Sequence, residues 1–326
     1  MEINDNLLRP TSLNDFIGQE QLKYKLNIYI SVAKKRKETL DHILFYGPPG
    51  LGKTTLANLI SNEMNCGIKI VNAANLEKVY ELINILLSLE PGDILFIDEI
   101  HRLPRQLEEI LYSAMEDFYI QVIVNKNESS KSVHIDLPPF TIIGATTMFG
   151  NISSPLRSRF QICERMYYYN INEISNIIKR TLNVYNLKYD ELAIRNIAKR
   201  CRGTPRICNS IVKRIRDFCE YNKMKLVDSK IVNNVCTLLN IDDNGLNYED
   251  YKYLFTLYNL SNKSSIGLES LALSLNENVK TISDVIEPYL IHKEFIYRTK
   301  QGRCLTDKGI EYVKSKIIPF LSSLPR

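Results

Sequence analysis

Residues 47–55, Gly-Pro-Pro-Gly-Leu-Gly-Lys-Thr-Thr, decide the fold of this chain. They match the phosphate-binding pattern G-x-x-x-x-G-K-T, with an apolar run at 43–46 before them and apolar residues at helical spacing after them. In such a strand-loop-helix unit the backbone N–H groups turn toward phosphates at a helix N-terminus. We therefore predict a nucleoside triphosphate site in which Lys53 reaches the β- and γ-phosphates and Thr54 binds Mg²⁺. A glycine-rich surface turn is the alternative.

Two further strand ends are predicted to complete this site. The apolar run at 94–97 ends in Asp98 and Glu99, which places carboxylates at the sheet edge that carries the phosphate loop. Asp98 would orient Mg²⁺, and Glu99 would polarise the water that attacks the γ-phosphate. Thr146 closes a later apolar strand, and its hydroxyl would bond the γ-phosphate or that water. A solvated turn for the two acids and a structural role for Thr146 are the alternatives.

Composition excludes several classes of protein. With 326 residues, of which 44% are hydrophobic and 24% charged, the chain can bury a large core, so global disorder is excluded. A net charge of +5 is too small to indicate nucleic-acid binding by itself. Seven cysteines without a C-x-x-C pair suggest buried thiols in a reducing cytosol. No secretion signal or membrane-spanning run is evident, so we expect a soluble, cytoplasmic protein.

The pattern of apolar residues predicts three domains. Strand-like runs at 43–46, 68–71, 94–97, 140–144 and 166–169 alternate with helical patterns, which indicates an α/β domain with a parallel sheet over 1–169. Helical patterns at 173–186, 190–201, 205–222 and 229–239 predict a small helical domain over 170–240, and Thr204-Pro205 is a typical helix start. Over 243–326, helices at 249–260, 268–275 and 279–292 precede a basic hairpin at 295–306, which suggests a winged helix.

Several segments together carry a highly specific resemblance. The phosphate loop, residues 98–103 and 114–118, Gly144-Ala145-Thr146-Thr147 and Arg202-Gly203-Thr204-Pro205-Arg206 resemble the RuvB family, the bacterial Holliday-junction branch-migration motors of the AAA+ class. The resemblance runs from Leu8 to Arg303, nearly the whole chain. It implies an AAA+ P-loop domain, a small helical domain and a winged-helix DNA-binding domain. The implied activity is ATP-driven DNA translocation in recombination and repair.

The resemblance also assigns nucleotide contacts residue by residue. It implies that ATP or ADP is contacted by Leu8, Arg9, Ile17, Gly50, Gly52, Lys53, Thr54, Thr55, Glu116, Asp117, Phe118, Arg159, Tyr169 and Arg206. Among these, Arg206 matches the sensor arginine of the small domain. Arg159 matches the arginine finger, which acts in the neighbouring subunit's site. That role requires a ring, and the family implies a homohexamer on duplex DNA.

Two hairpins are expected to bind other macromolecules. Alternation on both sides of 125–131 predicts a hairpin at about 120–136, and the resemblance implies that it docks RuvA; an ordinary edge hairpin is the alternative. In the wing, Arg298 and Arg303 match DNA contacts, with Lys300 a weaker candidate, although winged helices also bind proteins. RuvC would join the complex that resolves Holliday junction DNA. The sequence departs from the family at Gln301, where an arginine is usual, at 148–149, at 72–75 and at 262–265.

Two other functions fit parts of the sequence. A clamp loader or replication initiator shares the phosphate loop and sensor residues, but does not combine them with the hairpin and the winged terminal domain. A winged-helix regulator that uses nucleotide only as a switch would not need Glu99 or Arg159. The presence of both residues argues for hydrolysis.

Overall fold

The computed structural model describes residues 8–126, 129–261 and 265–322, which form two compact units. The first unit contains the chain up to Lys188 together with 203–213, and the second contains 189–202 and the chain from Arg214 onward. Part of the turn of the predicted hairpin, at 127–128, and most of the 262–265 loop lie outside the described residues. The three-domain division drawn from sequence stays a prediction.

A five-stranded parallel sheet organises the first unit, in the order β2-β3-β6-β1-β7. Its strands are β1 Ile43–Tyr46, β2 Ile68–Asn72, β3 Ile94–Asp98, β6 Thr141–Thr146 and β7 Ile162–Arg165. The central strand β6 is buried along its whole length, as expected when both faces of a parallel sheet are covered. The predicted α/β fold class is confirmed, and the carboxyl ends of β1, β3 and β6 meet at one edge.

The prediction of the fifth strand at 166–169 was wrong, because β7 lies four residues earlier. This edge strand buries Ile162 but exposes Cys163 and Arg165, so it lacks the continuous apolar run of an inner strand. Met166 continues the ladder by one bond, since its N–H donates to the carbonyl of Tyr46 at 2.8 Å. The aromatic residues that follow it leave the sheet.

Among the described residues up to 188, six α-helices, three short 3₁₀-helices and a hairpin accompany the sheet. The helices are α1 Glu20–Arg36, α2 Lys53–Met64, α3 Val79–Leu87, α4 Arg105–Glu116, α5 Ser154–Ser158 and α6 Ile171–Val184. Strands β4 Tyr119–Lys126 and β5 Ser129–Asp136 pair antiparallel, with Tyr119 opposite Asp136, which confirms the hairpin. Ile120 anchors its base in the core that packs around Leu107 and Phe140. Helix α1 has no counterpart among the elements predicted from sequence.

The second unit is mostly helical. Its elements, with two that begin in the first unit, are β8 Lys188–Tyr189, α7 Glu191–Arg200, α8 Pro205–Tyr221, β9 Leu226–Val227, α9 Ser229–Leu238, α10 Tyr248–Ser261, α11 Leu268–Leu275, α12 Val279–Thr281, α13 Glu287–His292, β10 Ile296–Arg298, β11 Arg303–Leu305, α14 Asp307–Tyr312 and α15 Ile318–Ser322. One-turn π-helices, Ile282–Ile286 and Val313–Ile317, join α12 to α13 and α14 to α15. Strands β10 and β11 form the predicted wing, with Arg298 opposite Arg303. The helical stretch after the wing was not predicted.

The cysteines are free thiols of mixed exposure. Cys201, Cys208, Cys219 and Cys236 are buried, whereas Cys163 is exposed on the edge strand β7. Burial is the main cause that raises the pKa of the Cys236 thiol. Within the described ranges, no helix combines the length and the apolar character needed to cross a membrane.

Candidate functional site

A cleft of about 610 Å³ opens over the phosphate loop of the first unit. It brings together most of the residues that the sequence pointed to. These are Leu8, Arg9, Gly50, Gly52, Lys53, Thr54, Thr55, Asp98, Glu99 and Arg206. Residues from the N-terminal segment, the loop, the end of β3 and the start of α8 therefore meet at one place.

The phosphate loop is held tightly against the start of helix α8. Gly50 has a φ of +77°, and a Cβ added there would lie 2.9 Å from the methyl carbon of Thr204 and 3.0 Å from Cβ of Arg206. The N–H of Arg206 donates to the Gly50 carbonyl at 3.3 Å. Glycine is needed at this position both for its backbone conformation and for the close approach. The contact fixes Arg206 beside the loop.

Lys53 is a buried lysine within the cleft. Its side chain donates from Nζ to the carbonyls of Gly47, at 2.8 Å, and Pro48, at 2.9 Å. Burial lowers the pKa of Lys53 to about 8, although the nearby carboxylates of Glu99 and Asp98 oppose that shift. A phosphate group bound in the cleft would place negative charge beside this ammonium and favour its charged form.

Glu99 is held by hydrogen bonds in a strained backbone position. Its φ of 50° lies in the left-handed region, and its N–H donates to Oδ1 of Asp98 at 3.0 Å. The carboxylate accepts a bond from Oγ1 of Thr147 at 3.1 Å and lies 3.2 Å from Nδ1 of His101. The side chain is 29% exposed, which leaves it accessible to water. Glu99 therefore lies in the cleft and remains accessible to water, as a general base requires.

The structure separates the two threonines that end β6. Thr146 is fully buried; its hydroxyl lies 3.0 Å from Nδ1 of His101 and accepts from the N–H of Met148 at 2.9 Å. It does not line the cleft, whereas Thr147 does and bonds Glu99. Thr147 therefore has the access to the cleft that Thr146 lacks in this structure, because consecutive side chains at a strand end point to opposite sides.

The residues also fit a magnesium ion carried by a nucleotide. Thr54 and Asp98 line the same cleft and offer a hydroxyl and a carboxylate oxygen. Among the residues that the structure describes, no group of three or more His, Cys, Asp or Glu side chains is arranged to hold a metal. Mg²⁺ is commonly held by one or two protein oxygens together with substrate phosphates, which is the donor set available here.

Sequence reasoning assigned no individual nucleotide contact to several residues of the cleft. These are Pro49, Thr147, Tyr185, Pro205, Asn209, Ser210 and Lys213. A signal for three of them was present, because 209, 210 and 213 follow Arg206 at spacings of three, four and seven residues on one face of α8. Tyr185 follows the end of α6, and its approach depends on packing that the sequence does not reveal.

Other predicted nucleotide residues lie outside the cleft. They are Ile17, Thr146, Glu116, Asp117, Phe118, Arg159 and Tyr169. Tyr169 supports the loop, since its hydroxyl donates to the Leu51 carbonyl at 2.9 Å, and burial raises the pKa of that hydroxyl. Phe118 is partly buried and packs against the core, with its ring 5.8 Å from that of Phe140.

Arg159, which follows the end of α5, and Glu116, the last residue of α4, form a cluster of their own. The guanidinium donates to Oε2 of Glu116 at 2.8 Å and to the carbonyls of Tyr112 and Pro155. It also stacks over the ring of Tyr112, 4.5 Å from the centroid. Neither residue lines the cleft of its own chain. In this structure Arg159 is therefore bonded to its own neighbours and has no contact with the cleft.

In the second unit, both predicted DNA-binding arginines share one carboxylate. Nε of Arg298 lies 2.7 Å from Oε2 of Glu287, and Nε of Arg303 lies 2.8 Å from Oε1. Glu287 is fully buried, Arg298 is 45% exposed and Arg303 is 14% exposed. Lys300 is exposed in the turn between the strands. The two arginines thus differ greatly in their access to solvent.

Comparison with known proteins covers nearly the whole chain. Family models match for the Holliday junction DNA helicase RuvB P-loop domain over residues 8–166, the RuvB AAA lid domain over 169–242 and the RuvB C-terminal winged helix domain over 243–314. The Holliday junction branch migration complex subunit RuvB of Streptococcus agalactiae serotype Ia is 47% identical over 312 residues, which cover 96% of this chain and 94% of that protein.

Two further comparisons agree with these. The corresponding RuvB subunit of Phytoplasma mali is 49% identical over 308 residues, covering 94% of this chain and 93% of that protein. A solved structure, the Thermotoga maritima RuvB Holliday junction branch migration motor, has a TM-score of 0.86 and 44% identity, and covers 94% of this chain and 98% of that one. The P-loop, lid and winged-helix architecture expected from sequence is confirmed, and the chain belongs to the RuvB family.

Proposed function

We propose that this protein hydrolyses ATP to ADP and phosphate and uses the energy to drive branch migration of Holliday junction DNA, in recombination and repair. The observation that carries the proposal is the meeting of Lys53, Asp98, Glu99 and Arg206 in one cleft of a RuvB-family chain. The names of its relatives indicate that the substrate is a Holliday junction.

Within one subunit, each side chain would have a distinct task. The loop N–H groups and Lys53 would bind the phosphates, while Thr54 and Asp98 would hold Mg²⁺, which would neutralise phosphate charge when bound. Glu99, oriented by Thr147, accepts a proton from the attacking water. Arg206 lies beside the loop at the start of α8, so loss of the γ-phosphate would change its surroundings and move that helix.

A second subunit would complete the site. Arg159 and the segment 116–118 are absent from their own cleft but are the residues that the family resemblance links to nucleotide. We propose that Arg159 inserts beside the γ-phosphate of the neighbouring subunit in a homohexamer. The ion pair with Glu116 would be exchanged there for contact with phosphate.

The remaining surfaces would serve partners. The hairpin β4–β5 would dock RuvA, RuvC would join the resolving complex, and the wing would contact duplex DNA through Arg298 and Arg303. The division 1–169, 170–240 and 243–326 into ATPase, lid and head domains is part of the same proposal. Because the proposed substrate is Holliday junction DNA and the cysteines are free thiols, we place the protein in the cytoplasm.

A junction assay tests the proposal directly. Purified protein, with and without RuvA, is incubated with a labelled four-way junction and ATP, and the products of branch migration are resolved together with the rate of phosphate release. Junction-dependent turnover with RuvA-stimulated migration is expected. ATP turnover without migration would favour a clamp loader or initiator, and a turnover rate equal to background would favour a nucleotide switch.

Two variants separate the roles in cis and in trans. Glu99→Gln should bind ATP without turning it over. Arg159→Ala should lower turnover by about a thousandfold or more in assembled rings, because arginine fingers stabilise transition-state charge. Mixing the two variants should restore partial activity, since a Glu99-containing cleft then meets an Arg159-containing neighbour. Normal turnover by either variant alone would remove that residue from its role.

A further inference from the structure

Glu287 is a fully buried carboxylate to which the proposed nucleotide chemistry assigns no role. It is the first residue of α13, and it accepts hydrogen bonds from three side chains of the second unit. Tyr253 donates from its hydroxyl to Oε1 at 3.0 Å, and the two wing arginines donate from Nε. Burying a charged carboxylate costs free energy, which is offset only when the group is paired with opposite charge and hydrogen-bonded, as Glu287 is.

The backbone next to Glu287 supplies a second anchor for Arg298. The N–H of Glu287 bonds the carbonyl of Ile282 in a π turn. In that pattern the Ser283 carbonyl would be served by residue 288, which is proline and has no N–H. Nη2 of Arg298 donates to this carbonyl at 3.0 Å. The guanidinium is therefore fixed both by the carboxylate and by a carbonyl of the preceding helical turn.

We propose that Glu287 is a positioning residue of the DNA interface, which holds Arg298 ready for phosphate and uses the mostly buried Arg303 as its counter-ion. This inference rests on the proposed binding of DNA by the wing and narrows the two proposed arginine contacts of the wing to Arg298. Arg298, 45% exposed, contacts phosphate, whereas Arg303, 14% exposed, mainly balances the charge of Glu287. A side chain ordered before binding loses less entropy when it meets its partner.

The direction in which one substitution changes the affinity for DNA tests the proposal. Glu287→Gln makes the wing more positive by one charge, which by charge alone would strengthen binding to DNA. If Glu287 positions Arg298, affinity instead falls by about three- to tenfold, the effect of having to order one long side chain on binding. The matched control is Asp284→Asn, an exposed acid on the same helical stretch that gives the same change in charge. Its affinity should stay constant or rise.

The measurement is fluorescence anisotropy of a labelled duplex, titrated with the full-length variants over a range of salt concentrations. Arg298→Gln should weaken binding and reduce the slope of log affinity against log salt by about 0.9, the loss of one phosphate contact. Arg303→Gln should change that slope little and lower the melting temperature. Adding Glu287→Gln to Arg298→Gln should cause no further loss of affinity, because the two act through the same guanidinium.

Tyr253→Phe provides a test if Glu287→Gln does not fold, since it loosens the carboxylate without changing any charge. It should lower affinity in the same direction by a smaller factor. The positioning role is overturned if the folded Glu287→Gln protein binds DNA as tightly as the wild type or more tightly. If Glu287→Gln does not fold, the same result in Tyr253→Phe overturns it. Either outcome leaves the wing as a DNA contact. Unchanged affinity in Arg298→Gln overturns both the inference and the proposed use of this arginine for DNA.

Discussion

ATP binding should be accompanied by uptake of a proton at Lys53. Burial lowers the pKa of this ammonium to about 8, from an ordinary value of 10.5. The phosphates of ATP would favour the charged form and bring the pKa back toward its ordinary value. Restoring the whole difference corresponds to about 3 kcal/mol of interaction with the charged form. The complex therefore holds a proton that the free protein has partly lost.

The sign of the pH dependence follows from this difference. At about pH 8 roughly half of the free molecules carry neutral Lys53, so binding takes up about 0.5 proton per ATP. Above that pH the affinity should fall, approaching tenfold per pH unit, whereas below about pH 7 it should not depend on this group.

Titration calorimetry in two buffers of different ionisation enthalpy, both at about pH 8, measures the uptake from the difference in apparent enthalpy. The matched control is Lys53→Arg, whose guanidinium stays protonated, so that the uptake at this position should vanish. Equal apparent enthalpies in both buffers for the wild type would refute the reasoning, as would an affinity that is constant between about pH 7.5 and about pH 9.5.

Three further predictions concern the loop, the base and the sheet. Gly50→Ala should weaken ATP binding about tenfold or more in calorimetry, because its Cβ would meet Thr204 at 2.9 Å in a strained conformation; unchanged affinity would contradict the packing described. Thr147→Val should lower the turnover number about 10- to 100-fold by removing the bond to Glu99, with ATP affinity retained as the control. His42, whose pKa is lowered by burial, accepts from a backbone N–H as the neutral ring, so thermal stability should fall as the pH drops below about 6.5. The decline should be smaller in His42→Gln melts, and an equal decline would assign it to other groups.

Local sequence was enough to predict the α/β fold class and much of the candidate nucleotide site. The phosphate loop needs a few residue types at fixed spacing, and the acids at the end of β3 and the proline that starts α8 are equally local signals. The continuous apolar runs of the inner strands follow from burial on both sides, which is why the α/β class could be predicted. The edge strand β7 was misplaced for the same reason, since one of its faces lacks that cover.

Tertiary structure decided which of several plausible side chains reach the cleft. Sequence could not distinguish Thr146 from Thr147, because a difference of one residue at a strand end reverses the side of the sheet that a hydroxyl faces. It also treated Arg298 and Arg303 as equivalent, since the Glu287 carboxylate that divides them lies 11 and 16 residues away along the chain. Residue type and spacing thus determined the chemistry of this protein. Long-range burial and hydrogen bonding, which depend on how distant segments pack, determined which residues are placed to perform it.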